Sequence, residues 1–180
     1  MPDSSSKPSV IQIPLTRNYI AIVDEIDADL AQLKWSFLQS NGKDSRRIYA
    51  RRNARIDGKR LTIQLHRVIL ARILGRELQP QELVDHIDQN GLNCSRTNLR
   101  LASHAENMRN VGLVHRNKSG YKGVSWYKRT NTWQAQINDH GTKRHIGFFK
   151  NPIDAARAYN EAALKYHGEF AWVNPLRDSE

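Results

Sequence analysis

Asp85 and His86 stand side by side at the end of a short apolar run and before a polar, glycine-containing loop. An imidazole beside a carboxylate can accept a proton from water near neutral pH, because histidine titrates in that range. Asn98 opens the next apolar stretch, and Asn107 follows nine residues later. Carboxylate and amide oxygens are hard ligands of the kind that Mg²⁺ accepts while it keeps several waters. An isolated Asp-His pair is more often a surface pair, so the surrounding elements must decide.

Those elements form a short strand, a loop, a second strand and a helix. The first strand ends at His86, the loop covers 88–97, and the return strand begins at Asn98. Ser103 with Glu106 three residues later fits a capping box, which predicts that a helix starts there and carries Asn107.

This pattern resembles the HNH nucleases, the ββα-metal or His-Me finger family, in the variant with asparagine at the last histidine position. The matching residues are Leu65-His66-Arg67, Val84-Asp85-His86-Ile87-Asp88, Asn98-Leu99-Arg100 and Glu106-Asn107. The resemblance implies that His86 is the general base and that Asn98 orients its ring. It also implies that Asp85 and Asn107 bind one divalent metal, Mg²⁺ or Mn²⁺, per active site.

Two further residues of the motif could support the site. His66 and Arg67 follow a strand-like stretch at the point where the apolar run 61–74 becomes helical, before Gly75. A lone histidine in such a run is more often a hydrogen-bonded core residue than a ligand. A supporting role for both residues stays open because the family carries a Leu-His-Arg sequence there.

The composition favours a polyanionic partner. The 180-residue chain has 28 Lys and Arg against 18 Asp and Glu, a net charge of +10, and an isoelectric point near 10.0. The single cysteine, Cys94, excludes an intrachain disulfide and a multi-cysteine zinc site. No apolar run approaches the ~20 residues of a membrane helix. We expect a cytoplasmic, unexported protein of a bacterial or phage-infected cell, with a disordered N-terminus at 1–9 and no membrane partner.

The stretch 46–60 predicts a basic hairpin that turns at Asp57-Gly58. A charge run is usually a solvated face, but beside a nuclease motif it favours phosphate contacts. Earlier in the chain, Asp27 is predicted to cap a short helix. The residues of the hairpin expected to contact DNA are Arg46, Arg47, Arg51, Arg52 and Arg55.

The segment 119–174 predicts a second unit. Three strand-like runs, at 121–127, 132–138 and 143–149, precede a helix with Asn151 at its cap, Pro152 at its first position and Gly168 at its end. Basic residues interleaved with aromatics on such a sheet suit phosphates and base edges.

This segment resembles the Apetala/ethylene-response-factor DNA-binding domain. The matching residues are Gly120-Tyr121-Lys122-Gly123-Val124, Trp133, Ala135-Gln136-Ile137, Ile146-Gly147-Phe148-Phe149, Asp154-Ala155-Ala156-Arg157-Ala158-Tyr159-Asn160, Ala162-Ala163, Gly168 and Asn174. The resemblance implies that the sheet enters the major groove, whereas Trp133 is expected in the core. The expected contacts are Lys122, Ser125, Trp126, Tyr127, Lys128, Arg129, Gln136, Asn138, Lys143, Arg144 and His145.

The sequence therefore predicts an α+β protein with an HNH domain at 10–113 (core motif 61–110), a linker at 114–118 and the sheet domain at 119–176. The implied function is hydrolysis of double-stranded DNA by a homing-type HNH endonuclease of a mobile element or phage, acting as a monomer that nicks or a homodimer. Two alternatives remain. One is a catalytically silent, sequence-specific DNA-binding regulator, and the other is a nuclease directed at RNA.

Overall fold

The computed structural model describes residues 9–40, 47–113 and 117–176. Within them the chain divides into two compact units, with the division between residues 102 and 103. The mixed α+β class is confirmed, because both units contain antiparallel strands together with helices. Several predicted features lie outside the described residues: 1–8 of the expected disordered segment 1–9, Arg46, and 114–116 of the expected linker 114–118.

Three small antiparallel sheets build the N-terminal unit. They pair β1 with β2, β3 with β4 and β5 in that order, and β6 with β7. The strands are β1 Val10–Pro14, β2 Ile20–Asp24, β3 Ser36–Gln39, β4 Ile48–Ile56, β5 Lys59–Gln64, β6 Leu83–His86 and β7 Leu99–Ala102.

The basic hairpin predicted at 46–60 is present as β4 and β5. Asp57 (φ 49°) and Gly58 (φ 74°) both adopt positive φ angles at its turn. Two positive φ values in succession are typical of a type I′ turn, whose twist matches that of the flanking strands. Gly58 takes this conformation at no steric cost because it has no Cβ.

Helix α1, Leu65–Leu74, follows β5 directly and ends at Gly75, which takes the left-handed conformation (φ 65°). Its buried face, which includes Leu65, Ile69 and Leu70, packs into the core of the unit. The strand-to-helix transition predicted near His66 is therefore confirmed.

Asp27 does not cap a helix. It lies inside a 3-10 segment, Glu25–Gln32, is fully buried, and accepts hydrogen bonds from Arg72 and Arg96. Burial alone would raise the pKa of this carboxyl, but the two guanidinium groups outweigh it and hold the pKa below its usual range. Asp27 thus ties α1 to the segment before β7.

The C-terminal unit begins with a short helix, α2 (His104–Asn110), whose predicted capping box of Ser103 and Glu106 is present. A sheet with strand order β10-β9-β8 follows, and helix α3 packs on one of its faces. Its elements are β8 Val124–Tyr127, β9 Thr132–Asp139, β10 Thr142–Phe149 and α3 Pro152–His167.

Small side chains let α3 approach the sheet closely. Ala155, Ala156 and Ala163 of the helix are all fully buried against it. Asn151 caps the helix by accepting from the Asp154 N–H, with Pro152 in the first turn, as the sequence predicts. Gly123 (φ 77°) is required beneath α3, because a Cβ there would lie 2.0 Å from the Tyr159 ring. None of the helices in the described parts of the chain is long and apolar enough to cross a membrane.

Candidate nuclease site and DNA-binding sheet

The β6–β7 hairpin presents the Asp-His pair. Asp85 and His86 are the last residues of β6, and both are buried, at 3% and 6% exposure. Asp85 lies directly opposite Arg100 of β7. The Arg100 guanidinium donates to Oδ2 of Asp85 from Nε at 2.8 Å and from Nη2 at 2.7 Å. The hairpin therefore holds a largely buried carboxylate–guanidinium pair next to the proposed base.

The His86 ring packs among two other rings of the N-terminal unit. Its centroid lies 5.2 Å from that of His66 in an edge-on arrangement and 5.8 Å from that of Tyr49. Burial lowers the pKa of His86 to about 4, although the carboxylates of Asp88 and Asp85 act in the opposite direction. The imidazole is therefore unprotonated at neutral pH, which is the form that can accept a proton.

His66 is equally buried. Burial, with the nearby His86 and Arg67, lowers the pKa of His66 to about 3. The sequence favours a hydrogen-bonded core histidine at this position. The burial is found, but no described residue is a hydrogen-bond partner of its buried Nδ1 atom. The contacts that His66 does make are edge-on ring contacts with His86 and with Tyr49.

Arg67 acts on the loop that leads into β6. Its guanidinium donates to the main-chain carbonyls of Glu82 at 2.6 Å and Gln79 at 3.0 Å. These bonds fix the approach of the chain to Asp85 and His86. Any support that Arg67 gives the site is therefore made through the backbone.

Asn98 holds the loop after His86 rather than the imidazole itself. Its Nδ2 donates to Oδ1 of Asp88 at 2.9 Å and to the Asn93 carbonyl at 2.7 Å. Its Oδ1 accepts from the Asp88 N–H at 3.0 Å, and its main-chain carbonyl accepts from the Ile87 N–H at 2.9 Å. Both amide hydrogens are thus used within the loop, which differs from the direct ring contact that the resemblance implies.

The rest of this loop is anchored to the body of the unit. The main chain of Ile22 bonds to Leu92 and to Cys94, both at 2.8 Å. Cys94 is a fully buried core residue, and this burial raises the pKa of its thiol to about 12. Gly91 lies so close to β4 that an added Cβ would be 2.3 Å from the Ile48 carbonyl and 2.7 Å from the Tyr49 ring.

The donor set suits a divalent cation that keeps some of its waters. Asp85 supplies a carboxylate, a hard oxygen donor of the kind that Mg²⁺ accepts while it keeps several waters. The described residues contain no cluster of three or more His, Cys, Asp or Glu side chains that could hold a metal by themselves. An ion here would therefore depend on water, phosphate and amide oxygen as well. Asn107, the second expected ligand, lies on α2 in the C-terminal unit.

The arginines of the basic hairpin separate onto two faces. Alternation along β4 places Arg51 and Arg55 on the same face as Tyr49. Arg52 points the other way, and its guanidinium lies 6.0 Å from the ring centroid of Trp35. Arg47 precedes β4 and is half-buried.

The outer face of the C-terminal sheet follows from its register. Val124 pairs with Ala135 against α3, so Ser125 and its partner Gln134 point away from α3. The residues on this outer face include Ser125, Tyr127, Gln134, Gln136, Asn138, Lys143, His145 and Phe148. Six of them are expected contacts, whereas Gln134 and Phe148 are additions that strand register alone reveals. Lys128 and Arg129 lie exposed between β8 and β9.

Three expected contacts lie elsewhere. Lys122 Nζ is held by the carbonyls of Arg109 and Val111 at 2.5 and 2.6 Å, and burial lowers its pKa to about 8. Trp126 packs edge-on against Trp133 on the α3 side, 5.1 Å between centroids. Arg144 pairs with Asp139 and lies over Tyr166 of α3. Trp133 belongs to the core, which confirms the expectation for that residue.

Comparisons with known proteins agree with this local geometry. The sequence profile of the HNH endonuclease family matches residues 64–109. An uncharacterized HNH endonuclease of Acanthamoeba polyphaga mimivirus is 34% identical over 114 residues, 63% of this chain and 58% of that protein. Protein 3.8 of Escherichia phage T7 is 35% identical over 88 residues, 49% of this chain and 72% of that protein. The chain belongs to the HNH endonuclease family.

The C-terminal unit of this HNH protein has relatives of its own. APETALA2-like protein 2 of Oryza sativa is 43% identical over 56 residues, which are 31% of this chain and 13% of that protein. The chain spans little more than half of the mimivirus relative, at 58% of its length. No solved structure matches this chain.

Proposed function

We propose that this HNH protein is a metal-dependent DNA endonuclease of the homing type, in which His86 activates water and the C-terminal sheet selects the site. The observation that carries this proposal is a buried His86 beside the Asp85–Arg100 pair, in the hairpin that the HNH profile matches. One such site acts on one strand, so a monomer would nick and a homodimer could cut both strands.

The role of His86 is to take a proton from the attacking water. Its neutral state leaves a ring nitrogen able to accept, and the Asn98 network holds the loop that follows it. The rings of Tyr49 and His66 restrict the positions that the imidazole can take. This preorganisation reduces the cost of placing the base when the substrate binds.

The remaining chemistry needs a cation. Asp85 and Asn107 are the residues that would hold one Mg²⁺ or Mn²⁺. A cation bound there would stabilise the charge that develops on the leaving 3′ oxygen, giving 5′-phosphate and 3′-hydroxyl ends. Arg100 keeps the Asp85 carboxylate oriented until then.

Recognition would be divided between two surfaces. The outer face of the C-terminal sheet supplies base contacts, and Arg51 with Arg55 on the Tyr49 face of the hairpin supplies phosphate contacts. DNA is preferred to RNA as the substrate, because a sheet of this kind fits the wide major groove of B-DNA but not the deep, narrow one of A-form RNA.

A DNA-binding protein without nuclease activity is the second candidate. The observation in its favour is the guanidinium of Arg100 on Asp85, because a positive charge beside a proposed ligand opposes cation binding. Conversion of supercoiled plasmid to the nicked form, with Mg²⁺ and with excess chelator, separates the two candidates.

His86→Ala is the decisive variant. We expect it to lower the nicking rate by ~10²–10⁴ while DNA affinity stays within about twofold, because the base contacts water. His140→Ala, at an exposed histidine in the β9–β10 turn, is the matched control and should nick like the wild type. Equal nicking rates of the wild type and His86→Ala would show that His86 is not the base. Equal wild-type rates with Mg²⁺ and with excess chelator would show that the reaction does not need a metal.

A further inference from the structure

The outer face of the C-terminal sheet has an unusual chemical composition for a surface that would read DNA. Its central strand, β9, presents three side-chain amides, those of Gln134, Gln136 and Asn138. The flanking strands contribute aromatic rings and hydroxyls, and the single fixed positive charge on the face belongs to Lys143 of β10. Neither arginine nor a carboxylate is found among the outer-face positions of these three described strands.

Each base pair calls for a different side chain in the major groove. Guanine is read by the paired donors of arginine or lysine, and cytosine by a carboxylate that accepts from its amino group. Adenine is read by the amide of Asn or Gln, which donates and accepts at once, and the thymine methyl is read by apolar contact. A face of amides and rings therefore suits A·T pairs. It has fewer groups for G·C pairs, because Lys143 is its one side chain able to read guanine and it carries no acid to read cytosine.

Two of the amides are available to a base. The side chains of Gln136 and Asn138 make no hydrogen bond with any other residue in the described part of the chain, and Asn138 is exposed. The third amide, that of Gln134, is held by a neighbouring ring, because its Nε2 donates to Nδ1 of His145 at 3.1 Å. Residues two apart on a strand are ~6.7 Å apart. That step is about two base-pair rises of 3.4 Å, so the three amides can face every second base along the groove.

The same face also carries an exposed apolar side chain that could contact a thymine methyl group. Phe148 is 46% exposed, and its ring lies 5.0 Å from that of Tyr127 and 4.5 Å from that of His145. A β-bulge between His145 and Gly147 turns Phe148 outward, where strict alternation would have turned it into the core. An aromatic side chain exposed in this way, beside Gln134 in the register, is placed to meet a thymine methyl.

We propose that this sheet reads an A·T-rich duplex, with Gln136 and Asn138 recognising adenine and Phe148 contacting thymine methyl groups. The inference rests on the proposed role of the sheet in DNA recognition. Lys128 and Arg129, exposed between β8 and β9, then supply phosphate contacts that carry no sequence information.

The test is competition binding by the full chain in excess chelator, at one fixed salt concentration. A fluorescent 20-base-pair duplex of A·T pairs is displaced by unlabelled A·T or G·C duplexes of equal length, and a randomised duplex pool is selected in parallel. We expect the A·T competitor to be at least about tenfold more effective, and adenine to recur in the selected sites.

Substitutions test the residues. Gln136→Ala and Phe148→Ala should each reduce the A·T preference by roughly fivefold or more, and Gln136→Arg should shift the selected base opposite that position towards guanine. Glu161→Ala, exposed on α3 on the other side of the sheet, should leave the preference unchanged. Circular dichroism of each variant confirms that the fold is kept.

Two results would count against this reasoning in different ways. If A·T and G·C duplexes compete equally well, or G·C duplexes compete better, the A·T assignment is overturned and the nuclease proposal stays intact. Failure of the wild-type chain to bind any duplex, while its plasmid-nicking activity is measurable, would overturn both the assignment and the proposed reading role of the sheet.

Discussion

Replacing His66 with phenylalanine should change how the stability of the N-terminal unit depends on pH. His66 is 6% exposed, and its pKa is lowered from 6.5 to about 3, chiefly by burial. The folded unit therefore holds this ring neutral, whereas the unfolded chain binds a proton below about pH 6.5. A histidine with a depressed pKa contributes stability above pH 6.5 that is lost as the pH falls towards the folded-state value. His66→Phe keeps a ring at the site and removes this proton linkage.

The size of the effect follows from the two pKa values. At pH 5 the unfolded state gains about 1.36 × log(1 + 10^1.5), or about 2 kcal/mol, from protonating His66, and at pH 8 it gains almost nothing. The result hardly depends on the folded value, provided that this value lies well below 5. We therefore expect the wild type to lose about 2 kcal/mol more than His66→Phe between pH 8 and pH 5. Any constant cost of fitting the larger ring cancels in this comparison.

The assay must report on one unit of a two-unit chain. The protein has four tryptophans, and of these only Trp35, which is 4% exposed, lies in the N-terminal unit. Labelling with 5-fluorotryptophan gives Trp35 its own ¹⁹F resonance, assigned with Trp35→Phe, which is followed through urea unfolding at both pH values. His104→Gln, at an exposed histidine, serves as the control. If His66→Phe and the wild type lose the same stability between the two pH values, His66 is not held neutral by the fold.

Three further perturbations test other contacts. Asp27→Asn should destabilise the N-terminal unit by about 3 kcal/mol in urea unfolding, because it removes a buried carboxylate from two guanidinium groups, while Asp29→Asn, at an exposed carboxylate, should have a much smaller effect. Gly91→Ala should cost about 1–3 kcal/mol and reduce nicking, because its Cβ would overlap the Ile48 carbonyl, and unaltered stability would contradict the loop packing. Lys122→Met should lower the stability of the C-terminal unit by about 1–3 kcal/mol through unsatisfied carbonyls. It should leave unchanged the slope of log binding constant against log salt concentration. Lys143→Met should instead reduce that slope by the amount expected for about one phosphate contact.

Features that depend on neighbouring residues could be predicted from the sequence. The capping box at Ser103 and Glu106, the Asn151–Pro152 start of α3 and the Asp57–Gly58 turn are all present. Each is fixed by hydrogen bonds or φ angles within about one turn of chain, so the local sequence contains the whole interaction. The Asp-His pair at a strand end belongs to the same class.

Features that depend on distant partners could not be predicted. Asp27 meets arginines 45 and 69 residues away, and no local pattern distinguishes that from a helix cap. Tyr49, whose ring contacts both histidines, comes from a different sheet. The roles of Asn98 and Arg67 likewise depend on where a loop and a carbonyl lie after folding.

The outer face of the C-terminal sheet was predictable only in part, because alternation along a strand fails at irregular positions. Gly123, with φ 77°, rotates the chain before β8, so the direction of Lys122 does not follow from that of Ser125. The bulge after His145 likewise changes which of the following residues points outward, which adds Phe148 to the face. Within a regular strand the rule holds, since Ser125 and Tyr127 point away from α3 while Trp126 packs towards it.

Helix α2 shows why the motif and the packing unit end at different residues. Its last turn is held by Lys122, whose ammonium bonds the carbonyls of Arg109 and Val111, groups that no longer have partners within the helix. By packing, α2 therefore belongs to the C-terminal unit, although by sequence it completes the nuclease motif. A boundary drawn after residue 113 keeps the motif whole but removes the donor to these carbonyls. A boundary drawn after residue 102 keeps the Lys122 bonds to α2, but it places Asn107 and Asp85 in different fragments.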